Sequence, residues 1–252
     1  MGNTATALAR RLAPVVIPAL AGWLAIATPA PAASLQVAPV LVEVAAPGAA
    51  AALSLTNSGA RRLNVQVRVF RWSQKNGHDR LEPTRDVIAS PPFARLRPGA
   101  KNTIRVVRVS KKPVAGEESY RLLIDEIPQP VGPRRTAIRF ALRYSIPVFF
   151  SSDIAAPVRL EWTVAKAGGG TVVTASNPGT RRVRISALNL KGRGGQRLSF
   201  AKGLVGYVLG HSKASWTTRK VLSRAHRGDP IIITAQSENG PVRGRAKVRM
   251  AR

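Results

Sequence analysis

Residues 136–152 read "TAIRFALRYSIPVFFSS", with apolar side chains at every second place: Ile138, Phe140, Leu142, Tyr144, Ile146 and Val148. Arg139, Arg143 and Ser145 fall between them. Successive side chains of a strand point to opposite faces, so this period of two predicts a β-strand with one buried face. Ten or more alternating residues is long, since strands usually run about 5–6. A free edge this apolar invites pairing with another chain. A protecting partner, self-pairing or a covering loop is therefore expected.

Upstream of this stretch, strand signals also dominate. Alternating runs stop at Asn57-Ser58-Gly59, at Asn76-Gly77 and at Pro98-Gly99, and the opening run "SLQVAPVLVEVAAPG" is interrupted by Pro39. About seven strands with such turn spacing predict an all-β sandwich. After "SSDIAAP" (151–157) the pattern restarts, with six strand candidates from "VRLEWTVAK" to "VRGRAKVRM". The boundary is expected at about 152–157. Two sandwiches joined by so short a tie predict a fixed angle and a cleft between them.

The first 32 residues are not counted as fold. Arg10 and Arg11, the run "APVVIPALAGWLAIA" and the Ala30-Pro31-Ala32 arrangement form the three-part pattern of a secretory signal peptide, cut after Ala32. The apolar run is short for a membrane span, which needs about 20 residues. The mature chain, 33–252, is thus expected to be exported and not membrane-embedded. Cysteine is absent, which excludes disulfides, thiolate metal sites and cysteine nucleophiles.

Net charge is +28, and removal of Arg10 and Arg11 leaves +26. Such a charge attracts polyanions. The cations are dispersed singly between apolar residues, as in "VQVRVFRW", which places them on solvent faces of strands and argues against specific nucleic-acid recognition. No catalytic constellation is legible. His78, His211 and His226 are far apart, and the adjacent Asp125 and Glu126 point to opposite faces of a strand. The chain reads as a non-enzyme without cofactor or metal. Two rivals to a partner-binding role are a secreted polyanion-binding protein and a structural pilin or adhesin.

Several segments together resemble the periplasmic chaperones of chaperone–usher pilus assembly. "ASPPFARLRPGAKNTIRV", "ESYRLLIDEIP" and "AIRFALRYSIPVFF" are similar to consecutive parts of that family's first domain. "TASNPGTRRVRISALNL" and "YVLGHSKASWTTRK" resemble parts of its second. The resemblance implies two immunoglobulin-like domains set in an L, at 33–152 and 153–252, with an interdomain cleft. It implies pilus subunits and an outer-membrane usher as partners, and a periplasmic location.

The resemblance also assigns the opening strand a use: it is lent to an incomplete subunit by strand addition. Ile138, Phe140, Leu142, Tyr144 and Ile146 would then form the groove-filling face. In the family an arginine of the first strand and a lysine of the seventh bind the subunit's C-terminal carboxylate. Here Pro39 and Pro147 stand at those places, a form that resembles the archaic branch serving spore-coat-U-like pilins. The carboxylate would need another donor, and Arg121 and Arg143 are the candidates.

Overall fold

The structure is a computed structural model that describes residues 35–128, 141–152 and 159–250. The expected leader, Ile138, Phe140 and most of the expected boundary lie outside these residues. Ala33–Arg252 cluster as one compact unit, built of two successive β-folds.

The first β-fold opens with β1 (Leu35–Ala38), β2 (Val42–Ala45), β3 (Ala50–Asn57), β4 (Leu63–Lys75) and β5 (His78–Pro83). It continues with β6 (Val87–Ser90), β7 (Phe93–Leu96), β8 (Lys101–Arg108), β9 (Glu117–Ile127) and β10 (Arg143–Ser151). One sheet has the order β1-β3-β8-β6, the other β2-β10-β9-β4-β5, with β7 also paired to β4. Leu35, Leu53, Leu55, Val65, Ile104, Tyr120, Leu122, Ile124, Val148 and Phe150 fill the space between the sheets.

Pro39 does more than interrupt the opening run. Its ring removes a ladder donor, and the chain changes sheets there: β1 pairs antiparallel with β3, whereas β2 pairs parallel with β10. Ten described strands stand where about seven were expected. The excess comes from this split, from the Pro91-Pro92 break between β6 and β7, and from β5. Every residue of β5 is exposed, so "HDRLEP" carries no burial period to read.

The second β-fold comprises β11 (Glu161–Ala167), β12 (Gly170–Asn177), β13 (Val183–Lys191), β14 (Arg197–Ser199), β15 (Leu204–Val208), β16 (Ser212–Thr218), β17 (Pro230–Ser237) and β18 (Gly240–Met250). Hydrogen bonds connect them in one path, β14-β13-β17-β18-β11-β12-β16, with β15 on β13. The path wraps a single core that includes Trp162, Val164, Val173, Ile185, Leu188, Leu190, Ile231, Ile233 and Val248. The run "LVGYVLGHSKASWTTRK" (204–220), one of the six strand candidates, holds two strands. His211 at φ 52 makes the turn between β15 and β16.

Candidate functional site

β10 has two different halves. From Val148 to Ser151 it is held on both sides, by β2 and by β9. From Arg143 to Pro147 only β9 pairs with it. Among the described residues nothing pairs with the other edge there. The β9 contact runs one residue further, since the Glu126 N–H donates to the Leu142 carbonyl at 2.9 Å. A row of unpaired backbone groups on a sheet edge is a template for an added strand.

The side chains divide in the same way. Phe149 and Phe150 are both 1 % exposed. On a strand, neighbours face opposite ways, so both faces are covered at this end. Phe150 enters the first core, and Phe149 joins Trp72, Tyr207 and Leu209 in a small aromatic cluster between the two β-folds. Trp72 meets Tyr207 edge-on at 5.6 Å between ring centroids. Towards the open half, Leu142 and Tyr144 are half-buried. Ile146, at 2 % exposure, packs in the chain's own core. Tyr144 also leans inward, its hydroxyl donating to the Leu35 carbonyl.

The two candidate arginines differ sharply. Arg143 is exposed and pairs with Asp125, which also takes Arg68 at 2.6 Å. Burial pushes the Asp125 carboxyl up, but the hydrogen bonds from Arg143 and Arg68 outweigh it and hold the group below its ordinary value. The Arg143 charge is already matched. Arg121, opposite Pro147 on β9, has no carboxylate partner among the described residues. Its guanidinium lies 3.7 Å above the Trp72 ring and 5.8 Å from that of Tyr207. Burial lowers its pKa against the raising charge of Asp79, the signature of a cation held partly out of water. A half-buried, aromatic-stacked guanidinium with no direct ion pair among the described residues, only the more distant charge of Asp79, is suited to receive an anion.

Sequence patterns missed the ionic contact that ties the two β-folds together. Arg182, at the β12–β13 turn, stacks 3.7 Å over Phe149 and pairs with Glu117 and Glu43 of the first β-fold. Glu117 also accepts the Arg182 backbone N–H at 2.9 Å. Burial pushes the Glu117 carboxyl up to about 7, against the pull of that hydrogen bond and of Arg181. Nothing in "NPGTRRV" distinguishes Arg182 from a solvated arginine. The signal for the aromatic cluster was present: alternation in "YSIPVFF" gives way to five consecutive apolar residues, which requires cover on both faces.

The sequence profile of the pili and flagellar-assembly chaperones, PapD N-terminal domain, matches residues 34–153. Solved structures agree over the longer span. The chaperone–tip adhesion subunit pre-assembly complex CsuC–CsuE, from archaic chaperone–usher Csu pili of Acinetobacter baumannii, is similar at 26% identity and TM-score 0.64. The match covers 87% of this chain and 100% of that one. The Salmonella enterica SafA pilin in complex with the SafB chaperone matches at 18% identity and TM-score 0.57, over 84% and 95% of the two chains. The E. coli chaperone DraB matches at 18% and 0.54, over 85% and 95%. The last two, at that identity, show the fold alone. No curated protein sequence matches the chain. Residues 34–153 belong to the PapD N-terminal domain family of pili and flagellar-assembly chaperones, and with an all-β pair of folds and an archaic-pilus chaperone complex among its structural relatives the described chain is PapD-like and non-enzymatic.

Proposed function

We propose that this chaperone captures pilus subunits by lending them the strand that ends in β10, and then delivers them to an outer-membrane usher. The observation that carries the reading is the edge of Arg143–Pro147, unpaired among the described residues and continuous with the alternating run 138–142. Ile138, Phe140 and Leu142 form the lent apolar face, with Tyr144 at its inner end. Each large side chain seated in a groove contributes about 1.5–3 kcal/mol. Arg121 receives the subunit's terminal carboxylate, since Pro39 and Pro147 have no side-chain donor and Arg143 is held by Asp125. Subunits of the spore-coat-U-like class fit the archaic form of "SIPVF". Export by a leader cut after Ala32 places residues 33–252 in the periplasm, the compartment of the family, with 33–152 and 153–252 as its two domains.

Co-expression with a candidate subunit tests this. Leu142→Asp removes a groove contact and adds a charge in an apolar slot, and capture should fall at least a hundredfold while the chaperone stays folded. A Leu142→Asp protein that still shields the subunit from proteolysis would refute strand lending. Arg121→Ala should weaken capture about tenfold to a hundredfold, the loss of one charge-assisted pair. Arg143→Ala and the exposed control Arg219→Ala should change it less than threefold. Equal losses for Arg121 and Arg143 would remove Arg121 as the anchor. N-terminal sequencing that finds Met1 on the exported protein would remove the leader.

A further inference from the structure

We propose that the outer face of β18 docks the chaperone onto an anionic lipid bilayer. Arg243, Arg245, Lys247 and Arg249 occupy alternate positions of this strand, and all four are exposed. Alternate residues of a strand repeat at about 7 Å, so the four make a row of about 20 Å on one face. Among the described residues none of them forms an ion pair. Their cross-strand neighbours on β17 are uncharged: Thr234 opposite Arg243, Ile232 opposite Arg245, Pro230 opposite Lys247. Ile232 is 44% exposed and lies between Arg245 and Lys191 of β13. The adjoining strand β11 supplies Ala165 opposite Arg249, and its exposed Glu161 pairs with none of the four.

A row of unmatched cations raises the energy of the free protein by self-repulsion, so its persistence over a whole strand points to an anionic counterpart. Residues 153–252 hold 19 Lys and Arg against 4 Asp and Glu, so the surrounding field has the same sign. The face is also open. The contacts with the first β-fold through Arg182, Tyr207, Leu209 and Ser215 involve no residue of β17 or β18.

The occupant follows from the geometry. The row is evenly spaced along one strand, with one exposed apolar side chain beside it. A folded acidic partner would need carboxylates at fixed matching places. A bilayer presents laterally mobile phosphates that adjust to any spacing, and an interface that accepts Ile232. Basic residues near such a surface bind it additively. The inference needs only the family's periplasmic compartment, bounded by two bilayers, and is independent of strand lending.

Flotation with vesicles tests it, using phosphatidylglycerol mixed into phosphatidylethanolamine, beside vesicles of neutral lipid. The full mature chain should float with the anionic vesicles only, and high salt should release it. Arg243→Gln/Arg245→Gln/Lys247→Gln/Arg249→Gln should lose binding several-hundredfold, at about fivefold per residue. The pair Arg245→Gln/Lys247→Gln, milder to the fold, should lose about twentyfold. A control of equal charge, Arg80→Gln/Arg85→Gln/Lys101→Gln/Arg105→Gln, should lose less than a third as much as the four-residue variant. Equal losses in the two four-residue variants would show net charge alone and overturn the docking face. So would retained flotation of the pair variant. Stripe-dependent retention on immobilised polyglutamate as strong as on vesicles would assign an acidic protein instead, and overturn the bilayer.

Discussion

The same short turn occurs twice in this chain, once in each β-fold, and does two different things. "TNSGARRL" (56–63) follows β3, and "SNPGTRRV" (176–183) follows β12. In each, a buried asparagine organises the turn. Asn57 accepts the Gly59 N–H and donates to the carbonyls of Arg61 and Leu96 at 2.6 and 3.1 Å. Asn177 accepts the Gly179 N–H and donates to Arg181 and Val208 at 2.7 and 3.1 Å. The bonds correspond one for one, so the asparagine belongs to the β-fold itself. The arginine pair does not correspond. Arg61 and Arg62 are exposed, whereas Arg182 is 7 % exposed and bound to Glu117 and Glu43. A conserved local geometry fixes where a side chain starts. What lies opposite decides what it does.

The comparison breaks most visibly at the arginines. Arg182→Met removes one partner of a buried pair and leaves Glu117, whose side chain is 1% exposed, with a backbone N–H and the longer 3.9 Å contact to Arg181. Such a loss costs about 3–5 kcal/mol. Arg62→Met, at the matching place of the first turn, should stay within about 0.5 kcal/mol as a surface change. Urea denaturation of both variants measures the contrast. Adding Glu117→Gln to Arg182→Met should recover part of the loss, because the stranded charge is gone. Similar costs for Arg182 and Arg62 would mean that the ionic contact contributes little to holding the two β-folds together.

The asparagines should behave alike. Asn57→Ala and Asn177→Ala each leave one buried carbonyl, one partly buried carbonyl and a backbone N–H without the side-chain partner, which costs about 2–3 kcal/mol. Denaturation midpoints that differ by more than about 1 kcal/mol would show that one turn carries tertiary load beyond its own bonds.

This contrast also explains how much was legible in the sequence. Period-two alternation and turn residues made the all-β class, the turn at Asn76-Gly77 and the interruption at Pro39 legible, because local geometry dictates them. Burial at Ile146 was not legible. The alternation runs unchanged from Ile138 to Val148, and the point where the chain's own core begins to cover that face depends on where β2 and β1 lie. Arg121 interrupts a strand that is otherwise apolar for several residues, and the structure gives it the aromatic neighbours Trp72 and Tyr207, residues 49 and 86 positions away. Arg143 stands on the alternating strand between Leu142 and Tyr144, and its cross-strand partner Asp125, which Arg121 lacks, sets it apart. Charge pairing across strands depends on register, and composition does not encode register.

The smallest contrast concerns two glycines in left-handed turns of the first β-fold. Gly99, at φ 72, has open space where a Cβ would sit. Gly77, at φ 83, has none: a Cβ there would stand 2.3 Å from the Ser215 Oγ and 2.8 Å from its Cβ. Ser215 lies on β16 of the second β-fold, and its N–H donates to the Gly77 carbonyl at 2.9 Å. Both Gly→Ala changes carry the cost of positive φ, about 1 kcal/mol. Gly77→Ala should cost about 1–2 kcal/mol more, since the tip of the β4–β5 hairpin must draw back from β16 and loosen that hydrogen bond. Hydrogen exchange at the Ser215 amide reads the retreat directly. It should quicken in Gly77→Ala and stay unchanged in Gly99→Ala. Unchanged exchange in both would mean that the hairpin tip makes no stabilising contact with the second β-fold, leaving Arg182 and the aromatic cluster to hold the two together.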